Sequence, residues 1–276
     1  MRDPAASHFC PFPNAAGIVT RLAYARAEAA GVDTASLLKM SGLTLRQIED
    51  PSIRLRVRDQ IGFLNHAAEE LGDELLGFHL ALSPDLRQFG LIYYVAASSE
   101  VLGTAVQRVA RYCSIINEGI ALKYSESKEV VVAVRYVGVS RHKDRHQIEF
   151  FMTVLVRLCR QLIGHRLAAS RVSLTHHRAG ASAELCDFFG GEVEFGAQVD
   201  EIAFAPTAKQ MPVVSADPYL NNHLTAYFEE ALSRRSQNRG TFRSNVENAM
   251  APLLPHGKAR ASDGKALPRN MRSGGY

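Results

Sequence analysis

The sequence lacks the short motifs that mark the common enzyme families. It contains no GxSxG, which holds the nucleophile of serine hydrolases, and neither a P-loop nor a GxGxxG turn, which bind nucleotide phosphates. Its four cysteines, Cys10, Cys113, Cys159 and Cys186, form no CxxC pair, so neither a zinc knuckle nor a thioredoxin-type redox site is indicated. We therefore expect no catalytic residues, no cofactor and no enzymatic activity.

Long hydrophobic runs are also missing. No segment approaches the roughly 18 consecutive apolar residues that a transmembrane helix needs. The first thirteen residues, MRDPAASHFCPFP, contain an acid, three prolines and no apolar stretch, unlike a signal peptide. The 276 residues are nevertheless 46% hydrophobic, which suffices for a core. These features predict a folded cytoplasmic protein with no membrane partner, preceded by a disordered lead over residues 1–14.

Positive charge is in small excess and is unevenly distributed. The formal net charge is +4, and residues 256–276 alone hold five Lys or Arg against one acid. Residues 1–255 are therefore formally neutral. A nucleic-acid-binding domain usually presents a basic face to the phosphates, and the composition of residues 1–255 does not indicate one.

Hydrophobic periodicity predicts an α+β fold, with a helical N-terminal part followed by an antiparallel sheet interleaved with helices. Helices are expected near residues 15–30, 59–71, 73–82, 102–116, 144–165 and 183–189, and from Asp217, which precedes a proline at the first helical position. Strands are expected at 53–57, at 120–124 and 129–138 as a hairpin, and at 172–174, 193–195 and 202–204. The polar stretch 233–240 predicts a linker, and Thr241 the start of one more helix.

Two groups of polar residues are candidate sites for a metal ion. His142, His146 and Glu149 have the i, i+4, i+7 spacing that places them on one helical face, where they would suit zinc. Their context, RHKDRHQ, is strongly cationic, so we favour a solvated helix start capped by Asp144. The adjacent pair at 176–177 faces opposite sides of a strand and cannot easily ligate one ion. No metal site is expected.

Tyrosines gather in the central segment, at positions 93, 94, 112, 124 and 136. Tyrosines with a few convergent polar groups commonly line a small-molecule pocket. Ordinary amphipathic packing with surface hydroxyls is the more frequent role of any single tyrosine. The candidate ligand-binding residues are Tyr93, Arg111, Tyr112, Asn117 and His176.

Several segments, taken in order, resemble AraC/XylS-family transcriptional regulators of the subgroup with an arabinose-binding-like N-terminal region. The segments are SSEVLGTAVQRVARYCSIINEG, RVSLTHHR, FFGGEVEFGAQVDEIAFAP, ADPYLNNHL and FRSNVENAMAPLLPHGKA, within residues 18–261. The resemblance implies that residues 15–236 form a domain that binds a small organic effector and forms a homodimer. It also implies that a linker connects this domain to two helix-turn-helix units that bind DNA.

The resemblance ends near Ser262. The sequence continues as DGKALPRNMRSGGY, and the 24 residues after Pro252 contain two prolines and four glycines with no apolar period. One helix-turn-helix unit needs two helices of about 11 residues and a turn. Residues 237–255 are then a linker and the first helix of the DNA-binding module, and 256–276 a disordered basic tail. We expect a truncated regulator without specific operator binding. The alternative is a stand-alone small-molecule- or metal-binding protein with a native basic tail.

Overall fold

The computed structural model describes residues 13–137, 144–178 and 182–250, with residues 236–250 as backbone only. The chain divides into two compact units. The larger unit comprises Phe12–Thr225 and contains the sheet. The other comprises Met1–Pro11 and Ala226–Tyr276, and its described part, residues 226–250, is helical. Residues 251–276, with the predicted basic tail, lie outside the described residues, as does nearly all of the predicted disordered lead.

The N-terminal part of the larger unit is helical, as the sequence predicts. Its helices are α1 (Ile18–Ala29), α2 (Thr34–Ser41), α3 (Leu45–Glu49), α4 (Val57–Leu71), α5 (Leu76–Leu82), α6 (Leu91–Ala97) and α7 (Leu102–Ile116). Two short strands, β1 (Asn14–Ala15) and β2 (Leu55–Arg56), pair antiparallel. The strand predicted over residues 53–57 is therefore only two residues long. Helix α4 follows directly at Val57, and Arg56 ion-pairs with Asp59 in its first turn, at 2.6 Å.

The second part carries the sheet. Its elements are β3 (Ile120–Glu126), β4 (Val130–Tyr136), α8 (Arg145–Ile163), β5 (Arg171–Leu174), α9 (Ala183–Phe189), β6 (Val193–Phe195) and β7 (Asp200–Phe204). The strand order is β3-β4-β7-β5-β6. The predicted hairpin β3-β4 is confirmed, with Tyr124 opposite Val132.

One strand pair departs from the antiparallel sheet that the sequence predicts. Strands β5 and β6 are parallel, with Val172 opposite Val193. The chain leaves β5, passes through α9 and returns to the sheet in the same direction, which is how a helical crossover produces a parallel pair. The fold is α+β with a mixed sheet.

Helix α8 lies at the centre of the larger unit, between two hydrophobic clusters. One cluster joins the sheet to α6, α7 and α8, and the other joins helices α1 to α5 to Phe150 of α8. Phe89 and Val154 pack against both clusters. Helices α5 and α8 approach so closely at Gly77 that a Cβ there would overlap the backbone carbonyl of His146.

Helix α10 (Pro218–Met250) begins as the sequence predicts, since the Asp217 carboxylate accepts a hydrogen bond from the backbone N–H of Leu220 at 3.0 Å. The backbone stays helical through residues 233–240, where a linker is expected, and no new helix starts at Thr241. This polar stretch contains no proline, and arginine and glutamine are good helix formers. None of the described helices is both long and apolar enough to cross a membrane.

Candidate functional site

A cavity of about 100 Å³ lies where the two hydrophobic clusters meet. Residues 15–19, at β1 and the start of α1, form one wall, and helices α6, α7 and α8 form others. Strands β3 and β4 close a further side through Ile120, Leu122 and Val134. Gly17 permits this wall to turn sharply, because its φ of +75° is a conformation that other residues rarely adopt. The backbone therefore passes from the short strand β1 into α1 directly beside the cavity.

Helix α7 contributes a stripe of residues at helical spacing. Val109, Cys113 and Ile116 line the cavity, whereas Leu102, Ala105 and Val106, earlier on the same predicted face, are buried in the core. Burial raises the pKa of the Cys113 thiol to about 11. The thiol is therefore protonated at neutral pH and brings no charge to the cavity.

Helix α8 contributes most of the opposite wall. Phe150, Phe151, Val154, Leu155 and Leu158 line the cavity, and they recur along one side of the helix. The sequence predicts this apolar run as a buried helix, which is confirmed. Phe151 and Val154 are only partly buried, since they border the cavity.

Very few polar groups reach the cavity, and their hydrogen bonds are largely made within the protein. The Tyr93 hydroxyl accepts a hydrogen bond from Gln161 Nε2 at 2.8 Å. The Asn117 side-chain oxygen accepts one from the backbone N–H of Gly119 at 2.9 Å.

Gln60 is the third polar residue of the lining, and both ends of its amide are engaged. Its oxygen accepts from the Thr20 hydroxyl at 3.2 Å, and its nitrogen donates to Gln147 Oε1 at 2.9 Å. The described residues that line the cavity include no Asp, Glu, His, Lys or Arg.

The structure brings two of the five candidate ligand residues together. Tyr93 and Asn117 line the cavity. Arg111 lies on an exposed part of α7, and Tyr112 is 1% exposed in the core. His176 lies at the end of β5, away from the cavity lining. The assignment of a ligand to Tyr93 and Asn117 stays a prediction.

His176 belongs to a buried ion-pair cluster. Glu149 of α8 is 1% exposed and accepts hydrogen bonds from Arg178 Nη2 at 2.8 Å and Nε at 3.0 Å. His176 Nε2 lies 2.9 Å from the same Glu149 oxygen. These contacts tie α8 to the segment that follows β5. Both partners of Glu149 lie more than 25 residues away in sequence, so the local pattern gives no sign of them.

The helix start at residues 144–149 is therefore not solvated, contrary to expectation. His146 is 1% exposed, and burial lowers its pKa to about 4, so its ring is neutral at pH 7. Glu149 is ion-paired with Arg178, and His142 lies outside the described residues. Among the residues whose positions are described, no group of three or more His, Cys, Asp or Glu side chains is arranged to hold a metal ion.

A second histidine links α5 to α9. His79 Nδ1 lies 2.9 Å from the Asp73 carboxylate, and Nε2 lies 3.2 Å from Glu184. Burial opposes the charged form of His79, but the hydrogen bonds to the two carboxylates outweigh it and raise the pKa. This contact is structural, since it stands apart from the cavity lining.

Comparison with known protein families identifies one family model that matches most of the larger unit. The model of the arabinose-binding domain at the N-terminus of AraC transcription regulators matches residues 31–213. No curated protein matches the sequence. A similar solved structure is that of the transcriptional regulator CdpR from Pseudomonas aeruginosa, with 16% identity and a TM-score of 0.49 over 72% of this chain. This chain covers 63% of that structure, less than two thirds of its length. Since the family model covers more than half of the sequence, the chain belongs to the AraC-type transcription regulators with an N-terminal arabinose-binding domain.

Proposed function

We propose that the larger unit senses a small organic effector that binds in the cavity between residues 15–19 and helices α6, α7 and α8. The observation that carries this proposal is the position of the cavity. Most of its lining lies within the matched residues 31–213, and it borders both hydrophobic clusters. Phe89 and Val154 belong to its lining and to the edge of each cluster.

The position matters because a ligand changes a conformational equilibrium only by binding one state better than another. A molecule in this cavity contacts residues 15–19, α7 and α8 at once. It therefore stabilises the arrangement in which these elements are packed around it, relative to any arrangement in which they separate. An effector bound on the surface of one element would have no such effect.

A ligand screen by thermal unfolding tests the proposal. Sugars, amino acids, short organic acids and small aromatic compounds are added separately, and a true effector raises the unfolding midpoint. The effect should disappear in Val154→Phe, where the larger side chain fills the cavity. It should persist in Val199→Phe, the same change at a residue that is 47% exposed and outside the lining. A ligand that stabilises both variants equally would contradict the proposed site.

We also propose that the protein forms a homodimer through the segment at the start of α10. Residues 214–220 expose three large apolar side chains, since Val214 is 69% exposed, Tyr219 76% and Leu220 40%. Large apolar side chains exposed close together in the sequence are candidates for an interaction site. Sedimentation equilibrium of Val214→Ser with Tyr219→Ser should show a shift towards monomer, and Val137→Ser, at another exposed valine, should show none. A monomeric native protein would contradict the proposal.

A further inference from the structure

We infer that the cavity takes an uncharged, predominantly apolar molecule, and neither a pentose nor a charged metabolite. This inference rests on the proposed function, because it names the ligand class for the same cavity. It departs from what the family description suggests, which is a sugar.

The cavity lining offers no charge to a ligand. A charged group that leaves water must find a partner of opposite charge or several hydrogen bonds, and otherwise its binding is weakened by orders of magnitude. The described lining holds no Asp, Glu, His, Lys or Arg, and the Cys113 thiol is protonated at neutral pH because its pKa is raised to about 11. An amino acid or a carboxylate would have no counter-charge there.

The cavity lining also offers few hydrogen-bond partners to a ligand. Each hydroxyl of a bound pentose needs a partner in the site, and each one left without a partner weakens binding by about tenfold or more. Gln60 already uses both ends of its amide. The Tyr93 hydroxyl is engaged by Gln161, an exposed residue outside the lining, and the Asn117 oxygen already accepts from Gly119. These groups suit a ligand with one or two polar atoms, and not a hydroxyl on every ring carbon.

The size and the shape of the cavity suit a small ring. A cavity of about 150 Å³ lined by Leu, Ile and Phe is known to remain dry and to bind benzene. The present cavity, at about 100 Å³, is smaller but partly open to solvent, and it has a similar apolar lining, so an aromatic ring need not be fully enclosed. Phe89 and Phe150 lie on its walls with ring centroids 6.3 Å apart, and Phe151 meets Phe150 edge to face. Aromatic walls of this kind favour a ring packed at offset or edge-to-face geometry.

Three probes of increasing polarity separate the ligand classes. Toluene is neutral and apolar, benzoate presents the same ring with a carboxylate, and L-arabinose presents hydroxyls. At a concentration about ten times its dissociation constant, toluene should raise the unfolding midpoint by about 3 °C. Benzoate and L-arabinose at the same concentration should leave it unchanged. The toluene effect should be lost in Val154→Phe and kept in Val199→Phe.

Methyl NMR of the native protein gives an independent measurement, should Val154→Phe fail to fold. Toluene should shift the methyl resonances of Ile116 and Leu158, which line the cavity, and leave those of Val199 in place. If L-arabinose or benzoate shifts the cavity methyls and toluene does not, the inferred ligand class is wrong and the proposed function stands. If no compound of the wider screen shifts them, both are wrong. A toluene effect that persists in a folded Val154→Phe protein would also overturn the inference.

Discussion

Replacing Glu149 by glutamine tests whether the cluster around α8 is a buried ion pair. The substitution keeps the shape of the side chain and removes its charge. Arg178 loses its charged acceptor, at present 2.8 and 3.0 Å away, and His176 loses a partner at 2.9 Å. The side chains of Glu149 and Arg178 are 1% and 9% exposed, so water cannot replace these contacts well.

The size of the effect follows from what remains around the arginine. Removing one partner of a buried ion pair typically costs about 3 to 5 kcal/mol, because the other charge is left uncompensated. Arg178 also donates to the backbone carbonyl of Glu74 at 2.7 Å, and this bond survives the substitution. We therefore expect the lower end of the range, about 3 kcal/mol of the free energy of unfolding. This would be a large part of the total stability of a typical domain.

Urea unfolding followed by circular dichroism measures the change. Arg87→Gln is the control, since Arg87 is 64% exposed and pairs with Asp85 on the surface, and its loss should cost less than about 1 kcal/mol. Glu149→Met combined with Arg178→Met should recover much of the loss, because no charge is then buried alone. If Glu149→Gln costs no more than the control, the pair is not desolvated and the reasoning is refuted.

Three further predictions follow from the packing. Gly77→Ala should destabilise the protein by several kcal/mol in urea unfolding, because the added Cβ overlaps the α8 backbone. Gly62→Ala, in open space on α4, is the control and should stabilise the protein by about 0.5 to 1 kcal/mol. Equal effects of the two substitutions would contradict the close approach of α5 and α8. The pKa of His79 is raised in the folded protein, so its contribution to the free energy of unfolding is fully present below its pKa in the unfolded chain, about 6.5. The contribution is lost as the pH rises through the pKa of the folded protein. His79→Gln should therefore lower the free energy of unfolding more at about pH 5.5 than at about pH 8.5. Burial raises the pKa of Cys113 to about 11 and that of Cys159 to about 12. Alkylation of both thiols at neutral pH, measured by mass spectrometry, should therefore be far slower in the folded protein than in urea. Equal alkylation rates would contradict the burial of the two thiols.

The fold could be predicted in large part because its signals are local. Apolar spacing places α7 and α8, and the Asp217–Pro218 pair places the start of α10. The parallel pairing of β5 with β6 could not be predicted, since strand direction depends on how the chain crosses the sheet. The helical course of residues 233–240 was missed because polar composition alone does not distinguish a linker from a solvated helix.

The candidate cavity could be predicted from the sequence only in part, for a physical reason. Periodicity identifies the apolar faces of α7 and α8, but a cavity forms only where distant segments fail to fill the space between them. The wall at residues 15–19 gives no such signal in the sequence. The polarity of His176 does not reveal that it contacts Glu149, more than 25 residues away in the sequence. The cationic run before Glu149 predicts solvation, whereas Arg178 provides a buried partner for that carboxylate.

The size of the cavity limits the free energy that an apolar effector can supply there. At about 24 cal/mol per Å³, filling about 100 Å³ with apolar atoms is worth at most roughly 2 kcal/mol. A ligand that fills it with apolar surface restores contacts to both clusters at once, through residues such as Phe89 and Val154. That amount lies within the 1 to 3 kcal/mol typical of coupling between sites in allosteric proteins. An apolar effector of modest size would therefore supply enough free energy to change how firmly the N-terminal helices are held against the sheet.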